Sequence, residues 1–191
     1  MNLIENKNFL TDKELEELNE LRMNDFPWYY GSSGDYETDK SYFSHTIIAR
    51  YDPETGSPEI NSRKYAFFEH IFDRFCRENK IDYKRILRMN LNFTSHFDSE
   101  FFGQPHADHD IPHQTMVMYL YGNSGNTVLF DGKYTPNSGE LTYTKENLKV
   151  AKEVEPEVGK VISFDGMTFH TIRPPKINTS RIICVLTYEL K

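Results

Sequence analysis

Apolar positions along the chain fall into two helical stripes followed by a series of short runs with strand-like texture. In the first stripe Leu15, Leu18 and Leu21 recur at helical spacing over residues 12–23, and Thr11 followed by Glu14 reads as a capping box ahead of them. In the second, Tyr65, Phe68, Ile71, Phe72, Phe75 and Cys76 share one face over residues 62–79, with charged residues between them. An aromatic stripe of this kind predicts a helix packed on a sheet. After residue 80 the period changes. Runs at 86–93, 115–121, 127–130, 140–144, 149–154, 160–164 and 181–188 are separated by turn residues and predict strands. Many short strands without helices between them predict an antiparallel sandwich or jelly roll, so the chain reads as mainly β with flanking, N-terminal supporting α-helices.

A length of 191 residues suits one domain over 1–191, with helical support in 1–80 and the jelly-roll core in 81–191. Between the helices, residues 27–42 carry Trp28, Tyr29 and Tyr30 ahead of a Gly, Ser and Asp stretch that reads as a solvated, mobile connector, with a lid as the alternative. Hydrophobic residues make up 38% of the chain, yet 14 Phe and 12 Tyr supply large buried areas, so an aromatic-rich core including Phe130 and Phe164 is expected. A net charge of -7 disfavours nucleic acid as a partner, because that affinity comes from Lys and Arg neutralising phosphates. The two cysteines, Cys76 and Cys184, fit reduced buried thiols. The N-terminus lacks the basic and apolar segments of a signal peptide, and no run is long enough to span a bilayer. A cytoplasmic protein without membrane contact is expected, and the sequence carries no signal for oligomeric state.

The candidate chemistry lies in "PHADHD", residues 105–110. In His106-Ala107-Asp108 the two donors stand two positions apart, so in extended backbone both side chains leave one face of a strand and can converge on an ion. His96-Phe97-Asp98 has the same spacing, and spacing alone does not choose between them. A third donor comes from "VGKVISFDGMTFHTIRPP", an apolar strand, a turn at Gly166 and then His170. Two imidazoles and one carboxylate make the facial set of non-haem Fe(II) oxygenases, which leaves three adjacent coordination positions open. A cosubstrate such as 2-oxoglutarate would bury a distal carboxylate that needs a cation. Arg181, opening the apolar strand "RIICVLTY" after the Pro174-Pro175 turn, suits that task with its guanidinium fork. His109, Asp110 and His113 are expected at the mouth of the site or in solvent, and Arg173 as an exposed turn residue. The stretches "DGK" at 131–133 and "NSG" at 137–139 read as turns.

From about Arg88 to Glu189 the chain resembles the Fe(II)/2-oxoglutarate-dependent dioxygenases, within them the prolyl-4-hydroxylase-like branch found in bacteria and phages. The resemblance is carried, in order, by "HAD" at 106–108, "MVMYLYGNSGNTVLFDG" at 116–132, "EPEVGKVISFDGMTFH" at 155–170 and "SRIICVLTYE" at 180–189. It implies a double-stranded β-helix in which His106, Asp108 and His170 bind Fe(II). It further implies Arg181 as the anchor of the distal carboxylate of 2-oxoglutarate and Tyr119 as a neighbouring donor to that carboxylate. It also makes the triplet at 96–98 a loop, because the family's His-x-Asp is followed shortly by a "YLY"-type strand. The implied activity is hydroxylation of a peptide or small-molecule substrate, a prolyl residue among the candidates, with dioxygen as cosubstrate and ascorbate as an optional addition. Two departures stand out. Collagen-type members carry Lys at the anchor where this chain has Arg181, and the nucleic-acid demethylases carry a second Arg where this chain has Thr187. The competing expectation is a non-catalytic, cupin-like binding module with a structural metal.

Overall fold

The computed structural model describes residues 2–23, 25–32, 41–51, 56, 59–97, 103–135 and 148–191, and among them ten strands form two antiparallel sheets. The strands are β1 (Leu3–Asn6), β2 (Tyr29–Ser32), β3 (Ser41–Ile48), β4 (Tyr83–Ser95), β5 (Gln114–Tyr121), β6 (Thr127–Lys133), β7 (Val150–Val154), β8 (Val161–Asp165), β9 (Thr168–Ile172) and β10 (Ser180–Leu190). The larger sheet runs β1-β8-β5-β10-β4-β3-β2 and the smaller β7-β6-β9. Helices α1 (Asp12–Glu17) and α2 (Tyr65–Glu78) precede the jelly-roll strands.

The larger sheet is covered on both faces, and side-chain alternation assigns each residue to one of them. Met116, Met118 and Leu120 of β5, Met89 and Leu91 of β4, and Ile182, Cys184, Leu186 and Tyr188 of β10 pack against Phe68, Ile71, Phe72 and Phe75 of α2. Phe72 meets Tyr188 edge-on with ring centroids 5.0 Å apart. The intervening residues Val117, Tyr119, Ile162, Phe164 and Ile183 face Leu129 and Val154 of the smaller sheet. Phe130 and Phe164 are buried as expected, and so are Cys76 and Cys184, both free thiols. Burial, with Asp73 nearby, pushes the Cys76 thiol up to about 12, and burial raises that of Cys184 as well.

The first helix begins where the sequence places it. Glu14 donates its backbone N–H to Thr11 Oγ1 at 3.3 Å, and its carboxylate accepts from the Thr11 N–H at 2.7 Å. It is shorter than expected, because from Leu18 to Arg22 the chain tightens into a 3-10 turn. Three residues per turn bring Leu18 and Leu21 to one side, and both are buried. The second helix matches its pattern and so do most of the later strands. But β6 runs on through residues 131–133, which the sequence reads as a turn, because Lys133 pairs with Thr168 of β9, a strand the apolar runs did not announce. Residues 27–42 differ from the connector expected: Tyr29–Ser32 is the edge strand of the larger sheet and pairs with Ser41–Ile48, and it follows Trp28, whose Nε1–H donates to the Leu21 carbonyl at 3.0 Å. Residues 33–40, the strand expected at 140–144 and the turn at 137–139 lie outside the described residues. No described helix is long and apolar enough to cross a membrane.

Candidate metal centre

His170 lies on β9 opposite Leu129 of β6, and on its other side it forms a hydrogen-bonded pair with His106. The two residues exchange N–H···O=C bonds, each 3.0 Å long. His106 is therefore an added rung at the edge of the smaller sheet, and its ring stands 4.7 Å, centroid to centroid, from that of His170. Two positions further on, Asp108 turns its carboxylate to the same side, with Oδ2 3.4 Å from His170 Nε2. One donor atom from each of His106, Asp108 and His170 lies within 4.8 Å of the others, the single such cluster among the described residues.

Each donor is oriented. Nδ1 of His106 donates to the Gln104 carbonyl at 3.1 Å and Nδ1 of His170 to the Thr168 carbonyl at 3.0 Å. A carbonyl can only accept, so both Nδ1 atoms carry the proton and each Nε2 keeps its lone pair for a metal. Asp108 Oδ2 accepts from Thr115 Oγ1 at 3.0 Å, and Arg88 Nη1 stands 3.7 Å from Oδ1. Burial alone would raise the Asp108 carboxyl, but His170, His106 and Arg88 outweigh it and hold the group well below the usual carboxylate range. Asp108 in turn raises the His170 imidazole against the effect of burial, so a metal, which requires an anionic oxygen and neutral imidazole nitrogens, would compete with a proton for this set.

These donors open onto a cavity of about 470 Å³. Its walls are the inward residues of three neighbouring strands: Arg88, Asn92 and Thr94 of β4, Thr115 and Val117 of β5, and Arg181, Ile183 and Val185 of β10. Arg181 is buried, with Nη1 donating to the Gly125 carbonyl and 3.4 Å from Thr127 Oγ1. Its Nε has no partner, and no carboxylate among the described residues pairs with it. Burial pushes its pKa down to about 10, only Tyr119 opposing. A desolvated guanidinium with an unused donor, at the end of a cavity whose other donors form a metal-ligand cluster, fits the distal carboxylate of a chelating oxoacid. Tyr119 is fully buried and donates to Thr127 Oγ1 at 2.8 Å, so Thr127, rather than Tyr119, reaches the cavity wall beside Arg181.

Several residues occupy places that the sequence did not indicate. His109 and His113 are buried, not at the mouth or in solvent, and only Asp110 is exposed. His109 shares a hydrogen bond of 2.7 Å between its Nε2 and Thr187 Oγ1 and is pushed down to about 4 by burial, with His113 and Arg50 adding to the effect. His113 packs edge-on against it at 4.9 Å and donates from Nδ1 to the Ile111 carbonyl. Arg173 is half-buried rather than exposed, held by Glu153 at 2.9 Å. His96 donates to the Pro175 carbonyl at 2.8 Å, away from the metal cluster, while Asp98 lies outside the described residues. Thr115, Thr127, Arg50 and Arg88 were not singled out by the sequence. The signal available for Arg88 was period-two polarity, since Arg88, Asn92 and Thr94 alternate with buried Leu87, Met89 and Leu91.

Gly166 sits in the turn between β8 and β9, where a Cβ would overlap the His113 ring. Gly166→Ala is therefore expected to destabilise the protein by about 1–3 kcal/mol, read from denaturant midpoints, through overpacking next to the metal cluster.

No protein-family model matches the sequence, and neither does any curated protein. Solved structures do. A 2OG-Fe(II) oxygenase family oxidoreductase from Burkholderia pseudomallei is similar at TM-score 0.71 and 17% identity, over 98% of this chain and 84% of the other. The α-ketoglutarate-dependent epimerase SnoN of nogalamycin biosynthesis is similar at TM-score 0.64 and 11% identity, over 98% and 78%. A Pseudomonas putida prolyl-4-hydroxylase is similar at TM-score 0.56 and 15% identity, over 99% and 92%. Identities this low speak for architecture, and on architecture the chain has the jelly-roll fold shared by the 2-oxoglutarate/Fe(II) oxygenases.

Proposed function

We propose that the protein is an Fe(II)- and 2-oxoglutarate-dependent dioxygenase that hydroxylates a peptide or small-molecule substrate. The observation that carries the reading is the convergence of His106, Asp108 and His170 at one part of a cavity that also holds the buried guanidinium of Arg181, which no acid pairs among the described residues. When bound, Fe(II) with 2-oxoglutarate and dioxygen supplies the oxidation of a substrate C–H bond coupled to decarboxylation of the oxoacid. The chain's own part is positional. The His106 and His170 Nε2 atoms and the Asp108 carboxylate would hold the metal from one side, with Thr115 and the two backbone carbonyls fixing their orientation. Arg181 would fix the distal carboxylate of 2-oxoglutarate, with Tyr119 steadying Thr127 beside it. Val117, Ile183 and Val185 supply an apolar wall to the space between. A structural metal in a binding module would normally be enclosed by a full ligand set, whereas three donors facing a cavity suit an open site.

Anaerobic addition of Fe(II) and 2-oxoglutarate is expected to produce a visible charge-transfer band, and its absence would return the protein to the class of binding modules. The likeness to a prolyl-4-hydroxylase supports a prolyl residue as one substrate candidate. Succinate release measured with proline-containing peptides against free amino acids separates that candidate from small-molecule substrates.

A further inference from the structure

The cavity carries more positive charge than the proposed cosubstrates use. Its described lining holds three guanidiniums, Arg50, Arg88 and Arg181, against one carboxylate, Asp108, in a chain whose net charge is -7. A divalent metal and a dianionic oxoacid cancel each other, so the loaded cavity retains the excess of two positive charges. That excess is not at the Arg181 end. On β10, Arg181 pairs in register with Thr94 of β4, whereas Arg88 pairs with Thr187, six residues along the strand and about 20 Å away. Thr187 also pairs with Thr115, the residue that holds Asp108, so Arg88 lies at the metal-cluster end of the cavity.

Arg50 joins it there. Its Nη1 donates to the backbone carbonyl of Asp108 and lies 3.5 Å from His109 Nδ1. Among the described residues the one carboxylate in ion-pair range of Arg88 is Asp108, at 3.7 Å, and Arg50 pairs with none. Asp110 acts on Arg50 more weakly, from an exposed position outside the cavity wall. Arg88 faces the Asp108 carboxylate and Arg50 the backbone carbonyl of the same residue, and a metal would claim much of that carboxylate's charge. The arrangement is complete only with a further anion.

We infer that the substrate carries an oxyanion, a carboxylate or a phosphate, which docks on Arg50 and Arg88 and so presents its carbon skeleton to the metal from the end opposite Arg181. The inference rests on the function proposed above. It favours an acidic small molecule over an internal peptide residue, whose own backbone brings no charge to this pair. A guanidinium suits either anion, because both present paired oxygens to its fork.

The test uses the whole chain with Mn(II) in the metal site and saturating 2-oxoglutarate, which occupies Arg181. Acetate and methyl phosphate are the probes, and paramagnetic broadening of the acetate proton line and the methyl phosphate phosphorus line reports binding close to Mn(II). The wild type is expected to broaden at least one probe, and the stronger of the two identifies carboxylate or phosphate as the recognised group. In the R50Q/R88Q double variant the probe is expected to bind at least about tenfold more weakly, with Mn(II) and 2-oxoglutarate still bound, since two charge-assisted contacts are lost. Equal broadening in the double variant, or none in a wild type that binds both cosubstrates, overturns this inference alone. Loss of Mn(II) together with the probe in both R50Q and R88Q assigns the arginines to supporting Asp108 and also overturns it. A wild type that binds neither Mn(II) nor 2-oxoglutarate overturns the proposed function first, and the inference with it.

Discussion

Asp108→Ala is expected to abolish iron-dependent succinate formation and to remove the anaerobic charge-transfer band. Asp108 is the only anionic donor in the cluster, and without it two neutral imidazoles would have to hold a divalent ion alone. Loss of residues that merely orient metal ligands costs 10- to 100-fold in affinity, so loss of this donor is expected to cost more than about 100-fold in metal affinity. Because Asp108 also accepts from Thr115 and faces Arg88, truncation leaves their polar groups without a partner, and Asp108→Asn is the companion variant. It keeps the shape and an acceptor for Thr115 while discarding the charge. Both variants, titrated with Fe(II) in the absence of oxygen, should bind poorly. Retained turnover in either would move the metal away from this cluster, and the His96/Asp98 triplet would be the next place to look.

Arg181→Ala is expected to weaken 2-oxoglutarate binding by two to three decades. Removing one partner of a buried ion pair costs about 3–5 kcal/mol, because the other charge is left desolvated and unpaired. Calorimetric titration of the metal-loaded protein reads this directly, and an unchanged affinity would remove Arg181 from the mechanism. Arg181→Lys should fall between, as an ammonium restores the charge without the two-pronged geometry. The stability of the cosubstrate-free protein should respond in the opposite sense. Arg181 is buried there with an unsatisfied Nε and no acid beside it among the described residues, so replacing it by Met is expected to leave thermal stability unchanged or to raise it.

What was legible in the sequence follows from which forces act locally. The stripe from Tyr65 to Cys76 and the capping box at Thr11 are short-range signals, and both elements are where those signals place them. The long inner strands were legible because both faces of the larger sheet are buried, which makes β5 and β10 nearly continuous apolar runs. The edge strands were not. Leu3–Asn6 and Tyr29–Ser32 pair on one side only and are four residues each, too short to show a period, and the Gly and Ser of the second resemble a connector until its neighbour Ser41–Ile48 is known. In the site, His106, Asp108 and His170 were readable as a set only through the family resemblance, because donor type and spacing left His96 and Asp98 as rivals. The supporting residues were not, since Thr115 and Thr127 are ordinary strand residues whose hydroxyls matter only through the register that aims them at Asp108 and Arg181. His109 and His113 were misplaced for a related reason. Polar residues in a Pro-flanked segment suggest solvent, but here they stack behind the metal cluster as neutral imidazoles.

The backbone bonds between His106 and His170 have a thermodynamic corollary. Two of the three donors are joined to each other by main-chain hydrogen bonds that need no ion, so the entropy of gathering them is spent during folding rather than at loading. Chelator-treated protein should keep its secondary structure and a cooperative melt, with the midpoint lowered only by the binding free energy of the ion withdrawn. On the proposed function, the two histidines would then form a socket built during folding, and loading the ion would require no refolding.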